Sequence, residues 1–569
     1  MPTPLWLLRT TGWRGRFISV GLGGLAVLGQ APFHLWIITL LSLALLLARL
    51  KWAAQYAPSR RAGFGAAFWW ALGYFLIGTS WIGSAFIARG PAFIPLMPPM
   101  VLMLGSALAF FWGLSGAAFV WMHRHKGTQN GLAALSFISL FWLAEYVRGH
   151  IFGGFPWNLL GYIFEAGGPI SQAASIFGVY GLSWIVLICA AALEALRSIG
   201  QARGRQFGLI GAGFILISGS FGYGLWRTNQ AQIDYVEGVQ LRIAHVRFLQ
   251  KDKFDPQKAV QIVNNFLAQS LAPGVENITH IIWPEGAVNG LAIEDEALMQ
   301  AMGAALISYD ETPPVWLLNS LRHEKRPAAR GEGAVIDDYY NSSVAVIFDS
   351  QGRAQIAAYN DKRRLVPFGE FIPGGKWMEE QKIPVISTSL LSISPAKTKT
   401  LADFPGLPRL SAQICYEIIF SGFTTRIKNT QSAQFILNQS NDAWYGDSIG
   451  PMQHANMSRY RAIEEGLPVV RAASNGVSGI VSPYGSYLAK AGPRATAFID
   501  SPLPKPLSAV FFSKIIYTFL VLINLLISLC CTLLLQGIRE GSTALSVKSF
   551  DTFGGGGTTG TEPYRDENK

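Results

Sequence analysis

Charge is scarce in this sequence. Asp, Glu, Lys and Arg make up 14% of its 569 residues, against about 25% in ordinary soluble domains. That sets the chain apart from a plain cytosolic enzyme. Half of the residues are hydrophobic, which excludes disorder, since disorder needs few apolar residues and many charges. Cysteine is scarce too. Cys189, Cys415, Cys530 and Cys531 are too few for a disulfide scaffold at this length, and no spacing among them reads as a zinc site. His245, His280, His323 and His454 lack ligand spacing as well, so neither a metal nor another cofactor is expected. What charge there is leans one way, to a net +11, which by itself is compatible with a nucleic-acid partner.

The apolar residues lie at the two ends. Seven apolar segments, at roughly 17–31, 34–48, 64–87, 92–121, 132–147, 171–196 and 207–226, precede an eighth at 509–536. Most reach the roughly 20 residues that a helix needs to cross a bilayer. The first two are short and meet at Ala31-Pro32-Phe33, which predicts a tight helical hairpin. The first reads as a span and not as a secretory signal, because more spans follow and no convincing small-residue cleavage site appears. Loop charge then sets the orientation. With a cytoplasmic N-terminus, Arg14, Arg16, Arg49, Lys51, Arg60, Arg61, Arg124, Lys126 and further Arg residues fall inside, and the short outside loops keep only Arg89 and Arg148.

The expected division is a transmembrane domain over 1–227, an extracytoplasmic domain over 228–508, an eighth span over 509–536 and a disordered cytoplasmic tail over 537–569. Residues 238–507 carry 26 Lys+Arg against 25 Asp+Glu. The basic excess therefore belongs to the membrane part, as a topology signal and not a nucleic-acid one. Glu145 and Glu165 are expected at the outer interface, and Glu194 beside Arg197.

Between the seventh and eighth segments, short β-branched runs at 239–246, 278–283, 314–319, 343–348, 410–415 and 432–438 predict strands. Helix-like stretches at 256–271 and 452–465 lie between them. That alternation argues for an α/β layered domain. Residues 372–400 have little periodicity but several apolar residues, including Trp377, Leu390 and Leu391. A loop so long is expected to act as a lid.

Three strand ends deliver reactive groups. Thr279–Trp283 leads into Pro284-Glu285; Ala358-Tyr359-Asn360-Asp361-Lys362 follows a strand; and Leu410–Ile414 leads into Cys415-Tyr416-Glu417. Taken singly, Glu285 reads as a solvated carboxylate, Lys362 beside Arg363 and Arg364 as a basic surface turn, and Cys415 as a buried small hydrophobe. Together they fit one mechanism. Glu285 in a dry pocket takes the thiol proton of Cys415. Lys362 and the backbone N–H after Cys415 stabilise an oxyanion. This is acyl transfer through a thioester.

Trp283-Pro284-Glu285, Lys362 with Leu365-Val366-Pro367-Phe368-Gly369-Glu370, and Cys415-Tyr416-Glu417 resemble the Glu-Lys-Cys triad of the carbon–nitrogen hydrolase (nitrilase) superfamily. The resemblance is closer to its membrane branch, the apolipoprotein N-acyltransferases of Gram-negative bacteria. Gly154–Asn158, Tyr340-Asn341-Ser342, Asn441–Asp447, Gly450–His454, Arg471 and Asn475-Gly476 support it, in order along nearly the whole chain. One departure stands out: His245–Gln250 occupies the place where the first strand commonly ends in Gln-Gly-Asn, although Lys253-Phe254-Asp255 still resembles the family.

The resemblance implies an α-β-β-α sandwich on an eight-span membrane domain in the bacterial inner membrane, with the catalytic domain periplasmic and both termini cytoplasmic. It implies transfer of an acyl chain from a phospholipid to the N-terminal amine of diacylglyceryl-cysteine apolipoproteins. Cys415 would be nucleophile, Glu285 base and Lys362 oxyanion stabiliser. Glu370 would be a supporting carboxylate, Tyr416 and Glu417 would shape the pocket, and Trp444 would lie near the acyl chains. A membrane-bound amidase giving its acyl group to water remains the alternative. A transporter is disfavoured, since acidic residues within the spans are few and lie near their ends. Oligomeric state is not legible.

Overall fold

The computed structural model describes residues 10–124, 130–196, 203–306, 313–327, 335–371, 393–398, 400–424, 432–508 and 514–551. The membrane part begins with helices α1 (Gly12–Ala26), α2 (Trp36–Tyr56) and α3 (Arg60–Gly78). A turn containing a cis Ala31–Pro32 bond joins the first two. Ser59 caps α3 by accepting from the Ala62 N–H at 3.1 Å. At Thr79 the chain breaks and bends by 50° into the stretch Ser80–Ala88, which holds α4 (Gly83–Ala88). Helices α5 (Met97–His123), α6 (Asn130–His150), α7 (Ala174–Leu196) and α8 (Arg203–Asn229) follow, and α12 (Lys514–Asp551) closes the chain.

Six helices among the described residues are long and apolar enough to cross a membrane, or seven if the bent pair counts as one span. Eight were expected. The difference lies at α1, whose 15 residues make a rod of about 22 Å, short of a hydrocarbon core of about 30 Å. Small residues let the helices close on one another: a side chain on Gly63 of α3 would collide with the Gly116 carbonyl of α5, and the reverse. Outward faces of α8 and α12 expose Phe214, Ile215, Leu522 and Leu526, a surface suited to lipid and not to water.

Polar groups inside this part depart from the sequence reading. Glu145 is not at an interface but fully buried, paired with Arg148 at 2.9 Å. Arg148 in turn donates to the Phe155 and Trp157 carbonyls at 2.8 and 2.9 Å, holding the loop 151–163 over the helices. Glu194 pairs with Lys51, since a residue on a neighbouring helix lies closer than sequence order suggests; Arg197 is outside the described residues. Glu165 is exposed and meets Arg459 at 3.4 Å. The last helix runs on to Asp551, through the first part of the stretch expected to be a disordered tail. The expected lid lies, except for its last residues, outside the described residues.

Two sheets form the other part. The first has the order β11-β1-β2-β3-β4-β5, built from β1 (Tyr235–His245), β2 (His280–Ile282), β3 (Val315–Pro327), β4 (Val335–Phe348), β5 (Ala354–Asp361) and β11 (Ala497–Pro504). The second has the order β10-β9-β8-β7-β6, from β6 (Leu410–Ile414), β7 (Phe435–Asn441), β8 (Val469–Ser474), β9 (Ser478–Val481) and β10 (Tyr487–Ala491). Strands β1, β2 and β3 are parallel, as are β6, β7 and β8.

The central strands are apolar on both faces because both are covered. Leu241, Ile243, Ile282 and Leu317 pack between the sheets against Leu410, Phe435, Leu437 and Val470. On the outer face of the first sheet, helices α9 (Pro256–Ser270) and α10 (Glu296–Ala304) lay Phe266, Leu298 and Met302 on Trp283 and Trp316. On the outer face of the second, α11 (Gly450–Glu465) is buried nearly throughout, because its far side rests on the membrane helices and the loop 151–163. The layers are α-β-β-α, with the second helical layer sandwiched against the membrane part.

Candidate active site

The carboxyl ends of the parallel strands open at one end of the sandwich, where two sheets twist apart and chain reversals are free to carry function. Gln439 ties the sheets there: its Oε1 accepts from Ser343 Oγ at 2.6 Å and its Nε2 donates to the Trp283 carbonyl at 2.7 Å. Glu285 follows β2, Lys362 follows β5 and Cys415 follows β6, so three distant segments of sequence converge on one mouth.

Lys362 is 1% exposed. Its Nζ donates to Glu370 Oε1 at 2.8 Å and stands 3.8 Å from Glu285 Oε1. Burial works against the ammonium, but the charges of Glu370 and Glu285 outweigh it and hold it well above its ordinary range. Asn341 of β4 links the two carboxylates, donating to Glu285 at 2.8 Å and to Glu370 at 3.1 Å. Asn319 of β3 fixes that amide by donating to its oxygen at 2.8 Å. The other oxygen of Glu285 accepts from the Asn441 N–H at 2.9 Å, and that of Glu370 from the Val366 N–H at 2.8 Å. Both carboxylates are thus locked as acceptors on either side of one ammonium.

Cys415 has φ +51°, a left-handed conformation that costs a non-glycine residue about 1–2 kcal/mol. The strain turns its side chain off the line of β6 at the start of a short 3-10 helix, Cys415–Ile419. Leading N–H groups of such a helix, Tyr416 among them, have no acceptor within it. Burial first, then the charge of Glu285, push the thiol above its ordinary range, with Lys362 opposing. A thiol in that state attacks only as a base removes its proton.

Glu417 was expected to shape the pocket; in the structure it lies beneath Cys415 as a buried acceptor. Its Oε1 accepts from the Arg363 and Arg364 N–H groups at 2.7 and 2.8 Å, and its Oε2 from the Ile414 N–H at 2.8 Å. One buried carboxylate therefore bolts the lysine loop to the cysteine turn. Tyr416 points away from the sheets, donating to the Gly154 carbonyl at 2.7 Å and so tying the nucleophile's turn to the membrane part. Trp444 is half-buried in the turn Asp442–Tyr445, packed on the core shared with the membrane helices.

Residues 22–192 match the profile of the apolipoprotein N-acyltransferase N-terminal domain, and residues 242–502 that of the carbon–nitrogen hydrolase. Relatives named apolipoprotein N-acyltransferase extend over almost the whole chain. One from Rhodopseudomonas palustris is 30% identical over 513 residues, covering 89% of this chain and 92% of its own length. The chain belongs to the apolipoprotein N-acyltransferase family. Relatives from Allorhizobium ampelinum and Caulobacter vibrioides are each 32% identical, covering 84% and 87% of this chain and 88% and 90% of their own.

Around the candidate site lie groups whose contacts the sequence reading missed. Asp442 accepts from Arg471 at 2.6 Å and from Ser440 at 2.6 Å, and meets His454 Nδ1 at 2.9 Å, all fully buried behind Cys415. Asn319 and Asn341 are polar residues on strand positions otherwise occupied by apolar ones. That exception is the signal: a buried amide needs partners, which for Asn341 are the two carboxylates and for Asn319 the Asn341 amide oxygen and the Ser342 carbonyl. The atypical segment after β1 is structural at His245, bonded to Ser478 Oγ at 2.8 Å and to the Gly492 carbonyl at 2.9 Å.

Proposed function

We propose that this protein acylates the N-terminal amine of diacylglyceryl-cysteine apolipoproteins, drawing the acyl chain from a phospholipid through a thioester on Cys415. The observation that carries this reading is the strained Cys415 set beside a buried lysine held between two carboxylates, on a domain mounted on membrane helices. Glu285 takes the thiol proton as Sγ attacks the ester carbonyl. The oxyanion forms against Lys362 Nζ and the Tyr416 N–H. The C–O bond breaks, and Glu285 returns the proton to the departing lysophospholipid. The lipoprotein amine then attacks the thioester, its proton passes to Glu285, and collapse releases the amide and the Cys415 thiol. Glu370 holds Lys362 throughout, and no cofactor enters.

The architecture supports this chemistry physically. Both substrates keep their tails in the bilayer, and pulling them out would cost about 0.8 kcal/mol per buried methylene. A site seated against membrane helices meets the ester and amine at the interface, with Trp444 beside the acyl chains. The topology we propose is eight spans in the inner membrane, α1 and the bent α3–α4 pair counted among them, with the catalytic domain periplasmic and both termini cytoplasmic. The loop-charge bias supports that orientation.

Incubation of the detergent-solubilised protein with a defined phospholipid alone should load Cys415 with a hydroxylamine-sensitive acyl group, seen by mass spectrometry. No such adduct would overturn the reading. Loading followed by release of free fatty acid, without amine acylation, would instead favour a hydrolase.

A further inference from the structure

Lys253 is a buried ammonium that the acyl-transfer steps leave unused. It lies in the short 3-10 turn Gln250–Phe254 after β1, just past the His245–Gln250 departure from the family's usual pattern, and is 8% exposed. A β-carbon on Gly286, the residue after the base, would lie 2.9 Å from Lys253 Nζ and 2.6 Å from Asn441 Nδ2. The ammonium, that amide and the base's own backbone therefore share one small volume, which the absent side chain of Gly286 leaves open. The turn is held there: Asn289 donates to the Lys253 carbonyl at 2.7 Å, and Gln250 accepts from Asn441 at 3.1 Å.

The charges around Glu285 need this second ammonium. Lys362 hydrogen-bonds Glu370 and stands 1 Å further, at 3.8 Å, from Glu285. Those three groups alone carry a net −1 in a site with little water, and a buried excess charge is relieved by taking up a proton. The remaining groups facing the base do not correct it. Asn341 and Asn441 are neutral, burial keeps Cys415 and Tyr445 protonated, and Asp442 is balanced by Arg471.

We propose that Lys253 is a positioning residue for the base, its ammonium completing a neutral set of two carboxylates and two ammoniums around Glu285. The assignment rests on Glu285 being the base. Burial brings the Lys253 ammonium down to about 8, with the charge of Glu285 pulling it back up, so it is charged at neutral pH and lost as a cation above about pH 8.

The test is the pH profile of thioester formation on Cys415 in the full-length protein, in detergent with a defined phospholipid. Lys253→Met should raise the acid-limb midpoint by about one pH unit. Well below the wild-type midpoint that lowers the rate about tenfold, while wild type and variant converge on the plateau above the limb. Lys253→Arg should restore the wild-type limb. An unchanged limb, or an equal loss at every pH, overturns the proposal. So does failure of both Lys253→Met and Lys253→Gln to give a monodisperse folded protein, which would make the residue a requirement of the fold. If wild type forms a thioester and Glu285→Gln stops it while the Lys253→Met limb stays put, only the Lys253 assignment falls. If wild type forms none, the proposed function falls with it.

Discussion

Replacing Glu417 by Gln isolates the bolt between the lysine loop and the cysteine turn, because it changes the charge and one donor pattern while keeping the shape. Three backbone N–H groups point at the carboxylate, two at Oε1 and one at Oε2. The amide oxygen of Gln can keep the pair from Arg363 and Arg364. Its NH2 then faces the Ile414 N–H, donor against donor. One charge-assisted hydrogen bond is lost, worth about 1.5–3 kcal/mol, and the two kept are weakened. Burial penalises the Glu417 carboxylate and pushes its titration upward, against the pull of Arg363, so a neutral side chain recovers part of that cost. The net loss of stability should be about 1–3 kcal/mol. The effect on chemistry should be larger. Ile414 directly precedes Cys415, and Arg363 directly follows Lys362, so a shift of about 1 Å between them costs about 10²-fold in rate. Single-turnover thioester formation and thermal unfolding in detergent measure the two separately. A variant that loads Cys415 within twofold of the wild-type rate would refute the positioning role, whatever its stability.

Three further outcomes follow from the geometry. Lys362→Met leaves Glu285 and Glu370 as like charges around Asn341, so one takes up a proton, the oxyanion partner is gone, and thioester formation should fall at least about 10³-fold. Lys362→Arg should rescue little, since a planar fork does not fit a site built for a point charge; mass spectrometry of Cys415 reads both. Arg148→Met strands the fully buried Glu145 and frees the carbonyls of the loop 151–163, and should destabilise the protein by about 3–5 kcal/mol, read by thermal unfolding in detergent. Arg471 and His454 overcome the burial penalty on Asp442 and hold it near 2, below its ordinary 3.8. A carboxylate depressed on folding stabilises above its unfolded value and loses that contribution as pH falls. Near-UV circular dichroism should therefore show stability lost between about pH 4 and pH 2, and Asp442→Asn should flatten that window.

Much of this protein was legible in the chain because its strongest signals are local. Apolar runs marked the membrane helices, and β-branched runs marked β1 to β4, β6 and β7, since burial on both faces leaves a strand no choice of composition. The edge strand β5 was not read as a strand, because its exposed faces carry no such constraint: Ala358–Lys362 was expected to follow a strand, whereas Ala354–Asp361 is itself one. Strand ends gave Glu285, Lys362 and Cys415 together because each is a reactive side chain following an apolar stretch. The first helix was read as a span from hydropathy, yet hydropathy does not show where hydrogen bonding stops, and α1 ends after 15 residues.

Sequence by itself determined where the apolar and mixed stretches lie, the charge asymmetry between them and which candidate reactive groups stand at strand ends. These depend on composition and on residue type at a chain reversal. Tertiary structure alone decided which groups pair. Glu194 takes Lys51 from a neighbouring helix, Glu145 goes into the core with Arg148, and Asn341 spans two carboxylates that lie 85 residues apart in the chain. It also brought Lys253 against Gly286, where no spacing would place it. Such contacts are set by how sheets and helices stack, and Coulomb energy in a dry site depends on final distance, not on separation along the chain.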